Sequence, residues 1–161
     1  MGSEIMFAIP WYAILLISIP QTILVIKIGF ELFGIKIDFK TAILVAIITG
    51  FITYFLRQSH VLPGIHTLAL IFTVTLLVSF LARIYIWHSL VGSLLGFMIL
   101  GVIEGLWLPF FLDLTSHTVE SLNLYPWLNI IGFQPITIIA ILIYLLILKN
   151  NLVIFKLGEE N

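Results

Sequence analysis

Few side chains in this sequence are equipped for chemistry, and the one that stands out is Glu104. It sits inside Leu90 to Phe111, LVGSLLGFMILGVIEGLWLPFF, a run long and apolar enough to cross a bilayer, which takes roughly 20 apolar residues. A charged, unpaired carboxylate at the centre of a spanning helix costs roughly 2.5–3.5 kcal/mol on insertion scales. Glu104 is therefore expected to be protonated, paired or set in a wet cavity. In any of those states it is suited to holding a ligand or answering to protons. The plainer alternative is a protonated acid that hydrogen-bonds a neighbouring helix and only holds the bundle together.

Gln21 lies next to Pro20, deep in the first apolar run. Proline withholds a backbone donor and frees a carbonyl one turn earlier, which an amide can satisfy. Gln21 is read first as that local repair and second as a ligand contact. His66, near Arg57 and His60 across the Pro63-Gly64 turn, has the chemistry to bind an anion or sense pH; polar residues at a loop are the plainer reading. Asp113, His117 and Glu120 are suited to a cation, although a solvated loop is the plainer reading of them. No two of the four histidines have the i, i+4 spacing of a helical metal pair. With no cysteine there is no thiolate ligand, disulfide or cysteine nucleophile. Nor is there a Gly-rich phosphate loop, a nucleophile elbow or an HExxH motif. Neither a catalytic residue, a metal nor a cofactor is expected. Lys27 and Glu31, four apart, are expected to pair near an interface.

The elements that must position these groups follow from composition. The chain has 161 residues, 61% hydrophobic and 9% charged, with mean hydropathy +1.23. Soluble domains carry about 25% charged residues, so a bilayer is the solvent that suits this one. The net charge of −1 excludes the clustered basic footprint that nucleic acid requires. Met1 to Glu4 lacks the positive region that opens a signal peptide.

Apolar runs and turn signals predict an all-α membrane bundle of about five transmembrane helices forming a single multi-pass domain over residues 1–161. The spans fall at about 7–33, 41–56, 67–86, 90–111 and 132–149. Pro20 should kink the first, Pro109 should end the fourth, and Pro135 should occupy the first turn of the fifth. Gly92, Gly96, Gly101 and Gly105 form two GxxxG pairs, which predict close helix packing within the monomer or across a homodimer. In this arrangement Lys27, Lys36, Lys40, Arg83, Lys149 and Lys156 fall on one side and Arg57 on the other. The positive-inside rule then sets the N-terminus outside and the C-terminus in the cytoplasm, in a plasma membrane. Counted from Leu90, Glu104 lies roughly 21 Å along its helix.

The run IPQTILVIKIGFELFGIKIDFK followed by RQSHVLPGIHTL resembles the N-terminal membrane module of some Firmicutes sensor histidine kinases of the GHKL type, the class with AgrC-like and Spo0B-like members. The resemblance covers roughly residues 9–149 and rests on soft, mostly apolar motifs. It implies a non-enzymatic sensory or ligand-binding module working with a separate cytoplasmic signalling protein. Departing from that pattern, the sequence after Lys149 holds no phosphoacceptor helix or ATP-binding box, so kinase activity does not carry over. Two other classes fit the residues. One is the substrate-binding membrane subunit of an energy-coupling-factor-type vitamin transporter, suggested by Ala42 and Ala46 at docking spacing. The other is a structural membrane protein with no small ligand.

Overall fold

A computed structural model describes residues 11–58 and 65–156, and among them every regular element is helical. The first span, Trp11–Glu31, is divided into α1 (Trp11–Ala13), a π-helical turn (Ile14–Ser18) and α2 (Ile19–Glu31). There follow α3 (Phe39–Gln58), α4 (Ile65–Ala82), α5 (Ile86–Thr115), the short α6 (Val119–Leu124) and α7 (Pro126–Asn150). Five helices, counting the first span as one, are long and apolar enough to cross a membrane.

Two prolines behave differently from expectation. α5 runs straight through Pro109 to Thr115, since losing one backbone donor does not outweigh an otherwise continuous apolar helix. α7 begins with Pro126, whose missing N–H falls where the helix has no use for it. Pro135, expected in that position, is nine residues further on and inside the helix. The short piece expected between the last two spans is α6, closed at its start by a Thr118–Ser121 capping box.

The centre of the bundle is α2. Leu24, Val25, Ile26, Ile28 and Phe30 point to different sides of it and all are buried, as befits a helix enclosed on every side. The first span is 53% buried, against 17–33% for the other four. One core cluster joins Leu24, Val25 and Ile28 to Leu100 on α5 and Ile136 and Ala140 on α7. A second joins Ile26 and Phe30 to Ala42 and Val45 on α3 and Val74 and Val78 on α4.

The tightest seam lies between α2 and α5, where only glycine fits. A Cβ on Gly29 would overlap the Gly92 carbonyl oxygen, and one on Gly96 would overlap the Val25 carbonyl oxygen. Gly92 has the Phe30 ring 3.0 Å from where its Cβ would be. Because residue 29 faces 92 while 25 faces 96, the two helices run antiparallel. Gly101 and Gly105 have nothing within 4 Å of an added Cβ and face away from the bundle.

Four helix ends close with the same backbone device. At Gly34, Arg83, Ser116 and Asn151 the chain turns left-handed (φ 71, 54, 54 and 47°). The next amide then reaches back five residues: Ile35 to Phe30, Ile84 to Ser79, His117 to Leu112, and Leu152 to Ile147. This is the Schellman closure, which favours glycine and tolerates asparagine. Three of these turns, with the chain after Asn151, gather Lys36, Lys40, Arg83, Lys149 and Lys156 at one end of the bundle. The tail also packs there, with the Ile154 amide donating to the Leu32 carbonyl at 2.7 Å. Lys27 does not pair with Glu31. Its ammonium donates to the Ile37 carbonyl at 2.8 Å and lies over the Phe39 and Tyr144 rings at 5.9 and 5.7 Å. A charge-assisted bond with two aromatic faces replaces an exposed ion pair of small value.

Candidate functional site

At the other end of the bundle two spans carry a proline, Pro20 beside a π turn and Pro135 within α7, and the same region carries the intramembrane acid. Pro20 has no N–H, so the Leu16 carbonyl four residues earlier loses its helical donor. The helix widens into the π turn Ile14–Ser18 just before it, a local form that recurs at functional sites. The freed Leu16 oxygen is not abandoned, because Gln134 Nε2 on α7 donates to it at 3.3 Å. Gln134 directly precedes Pro135, which lies inside the continuous helix α7. Three residues before that proline the Gly132 carbonyl accepts Trp107 Nε1 from α5 at 2.9 Å.

Glycine is needed at 132, since a Cβ there would stand 2.8 Å from the Phe111 ring. Trp107 stacks on that ring with centroids 6.4 Å apart. Three helical segments are thus stitched together: Gln134 donates to the carbonyl that Pro20 leaves without its helical donor, and Trp107 donates to the carbonyl of Gly132.

Glu104 belongs to the same face of α5. It lies four residues after buried Leu100 and three before Trp107, and it is half-buried. From Ile86, where α5 begins, it is roughly 27 Å along the axis, with about another 16 Å of helix beyond it. Its carboxylate is therefore remote from both ends of the helix, as its place in the sequence implied.

The other residues singled out by sequence are placed less centrally. Gln21 is half-buried, and its Nε2 is enclosed without a hydrogen-bond partner among the described residues. It does not perform the repair expected of it next to Pro20; Gln134 does. Nor does that nitrogen donate to the Glu104 carboxylate. A residue beside a proline on its own helix points away from the carbonyl one turn back, whereas a residue on a facing helix can reach it.

His66 is the second residue of α4 and half-buried. The Arg57 side chain and all of His60 lie outside the described residues. Among the expected cation ligands, His117 Nδ1 is 2.7 Å from the Thr115 carbonyl within the turn that ends α5. Asp113 is exposed, and the Glu120 side chain lies outside the described residues. Gly92 and Gly96 form the α2–α5 seam, while Gly101 and Gly105 touch nothing within the chain.

Sequence reasoning passed over Gln134 and Trp107 as working residues. The available signal was pairing: an amide next to each mid-span proline, at Gln21 and Gln134. A second polar group was also missed. Ser89 Oγ donates to the Thr75 carbonyl at 2.7 Å, joining α4 to α5. The hydroxyls of Thr49, Thr75 and Ser93 are buried without a partner among the described residues, at 1, 3 and 0% exposure.

Comparison with protein-family models, curated proteins and solved structures gives no match for this chain, and nothing in them identifies a sensor histidine kinase module.

Proposed function

We propose that this chain is a non-enzymatic sensory or ligand-binding module of the plasma membrane whose responsive element is the junction around Glu104. The observation that carries this reading is the coincidence of an intramembrane carboxylate with the break before Pro20, where the π turn leaves the Leu16 carbonyl to Gln134. Regular helices satisfy their own backbone and leave nothing for a ligand, whereas interrupted ones expose carbonyls and amide donors at membrane depth. Gln134 now holds the Leu16 carbonyl, and beside it Trp107 ties the Gly132 carbonyl to α5. A ligand, or a change in the protonation of Glu104, has neighbours that can exchange partners. The expected orientation puts the N-terminus outside and the C-terminus in the cytoplasm, because the basic residues gather at the end where α7 finishes. Glu104 then belongs to the outer half of the membrane, and the basic end is available to a cytoplasmic signalling protein.

Against the transporter-subunit alternative weighs the burial of Ala42 and Ala46, which would form its docking face and are both 0% exposed.

Native mass spectrometry of protein extracted in mild detergent tests the proposal. A small molecule retained by the natural chain and lost from Glu104→Gln supports it. If neither protein carries a molecule, and the substitution changes neither thermal stability nor the pH dependence of unfolding, the junction only holds helices together. Sidedness has its own test, since protease removal of a C-terminal tag in intact cells would overturn the orientation.

A further inference from the structure

At the basic end the turn between α4 and α5 contains a residue that is costly where it stands. Arg83 adopts φ 54°, in the left-handed position of a Schellman closure that glycine occupies at residue 34. A side chain there costs on the order of 1 kcal/mol relative to glycine. The turn is nonetheless firmly made. Ile84 N–H donates to the Ser79 carbonyl at 3.1 Å, and Ser79 Oγ donates to the Ile84 carbonyl at 2.8 Å. Among the described residues no ion pair or hydrogen bond engages the guanidinium of Arg83, which is exposed. A strained, unpaired arginine in a rigid turn points to a role outside the fold.

Its surroundings define that role. Arg83 lines an open groove of about 930 Å³ together with Leu76, Ser79, Phe80, Leu81, Ile84 and Tyr85. Phe80 is 82% exposed and Leu76 is 56% exposed one turn deeper along α4. Tyr85 and Trp87, both exposed, are the aromatic pair that settles at headgroup level. An arginine at the interface above an apolar groove is complementary to a molecule with a negative head and a hydrocarbon tail. Guanidinium binds phosphate oxygens in bidentate fashion, and the positive end of the bundle favours a headgroup with net negative charge.

We propose that this groove is a binding site for one anionic phospholipid. Its phosphate sits on Arg83, and an acyl chain runs down over Leu76 and Phe80. The site is independent of the junction around Glu104, at the opposite end of the bundle.

The experiment measures thermal unfolding in nanodiscs of phosphatidylcholine with and without phosphatidylglycerol, together with lipid retention by native mass spectrometry. The natural chain should be stabilised by phosphatidylglycerol and keep it through detergent exchange. Arg83→Gln should bind it about tenfold more weakly. Arg83→Gly separates binding from folding: it should unfold at a higher temperature in phosphatidylcholine alone, yet lose the gain from phosphatidylglycerol. An unchanged gain in Arg83→Gly or Arg83→Gln overturns the proposal, as does equal retention of both lipids by the natural chain. Equal stabilisation by soluble glycerol 3-phosphate would show an anion site without a lipid tail, and would overturn the lipid assignment.

Discussion

α5 carries the same small-residue spacing twice, and the two copies have different surroundings. Gly92 and Gly96 meet Phe30 and the Val25 backbone so closely that no side chain fits. Gly101 and Gly105, one or two turns further along, meet nothing within the chain. The motif permits close approach; the facing helix decides whether it occurs. Opposite the first pair stands α2, unbroken and supplying Gly29. Gly101 and Gly105 lie five and nine residues beyond Gly96, roughly 140° and 180° around the helix. They sit on the face turned away from α2, while Leu100, Ile103 and Trp107 keep the inner face packed. One half of the bundle is consequently close-packed, with its polar groups mostly spent inside helices. The other is held by single side-chain hydrogen bonds to the Leu16 and Gly132 carbonyls, the kind of region from which adaptable sites are drawn.

Filling the seam should produce the largest effect. Gly29→Leu or Gly96→Leu forces two backbones apart, which should cost about 3 kcal/mol or more and yield little monodisperse protein. Gly101→Leu and Gly105→Leu should unfold within about 1 kcal/mol of the natural chain. Equal damage at both pairs would erase the distinction and place a second copy of the chain against Gly101 and Gly105.

Next in size is Gln134→Leu. It leaves the Leu16 carbonyl without its donor, at roughly 1–3 kcal/mol, and hydrogen exchange should rise across residues 14–20 but not across the α2–α5 seam. Protection unchanged in both places would mean that the 3.3 Å bond contributes nothing.

Trp107→Phe keeps an aromatic ring against Phe111 but removes the donor to Gly132. A loss of about 1 kcal/mol in thermal unfolding is expected. The smallest effect has the opposite sign. Ser93→Ala and Thr49→Val replace buried hydroxyls that have no partner among the described residues, so stability should stay level or rise by up to about 1 kcal/mol. A marked loss would reveal bound water or a polar ligand in the close-packed half.

Much of the architecture could be read from the sequence because lipid imposes length and apolarity on each span separately. That logic found five spans and put Glu104 well inside one of them. It also identified the Gly92 and Gly96 pair, although it had no basis for ranking that pair above Gly101 and Gly105, since the ranking depends on Gly29 in another helix. Pro135 was expected to start the last helix, but that helix begins nine residues earlier at Pro126 and continues through Pro135, because a single missing donor does not end an otherwise apolar span. The side chains that tie the spans together at this end, Gln134 and Trp107, find their partners far away in the chain. The Gln134 bond to Leu16 spans 118 positions, and no local pattern announces it.

The residues after α7 fold back against the central helix. Ile154 N–H is bonded to the Leu32 carbonyl, while the side chains of Val153 and Lys156 lie 3.6 Å from where a Cβ on Gly34 would be. The chain's last described stretch is thereby clamped to the foot of α2, the helix that begins beside the π turn. A piston or rotary displacement started at that upper break would travel down a single rigid rod and emerge as movement of the tail. Distances between spin labels on the tail and on α3 would register it.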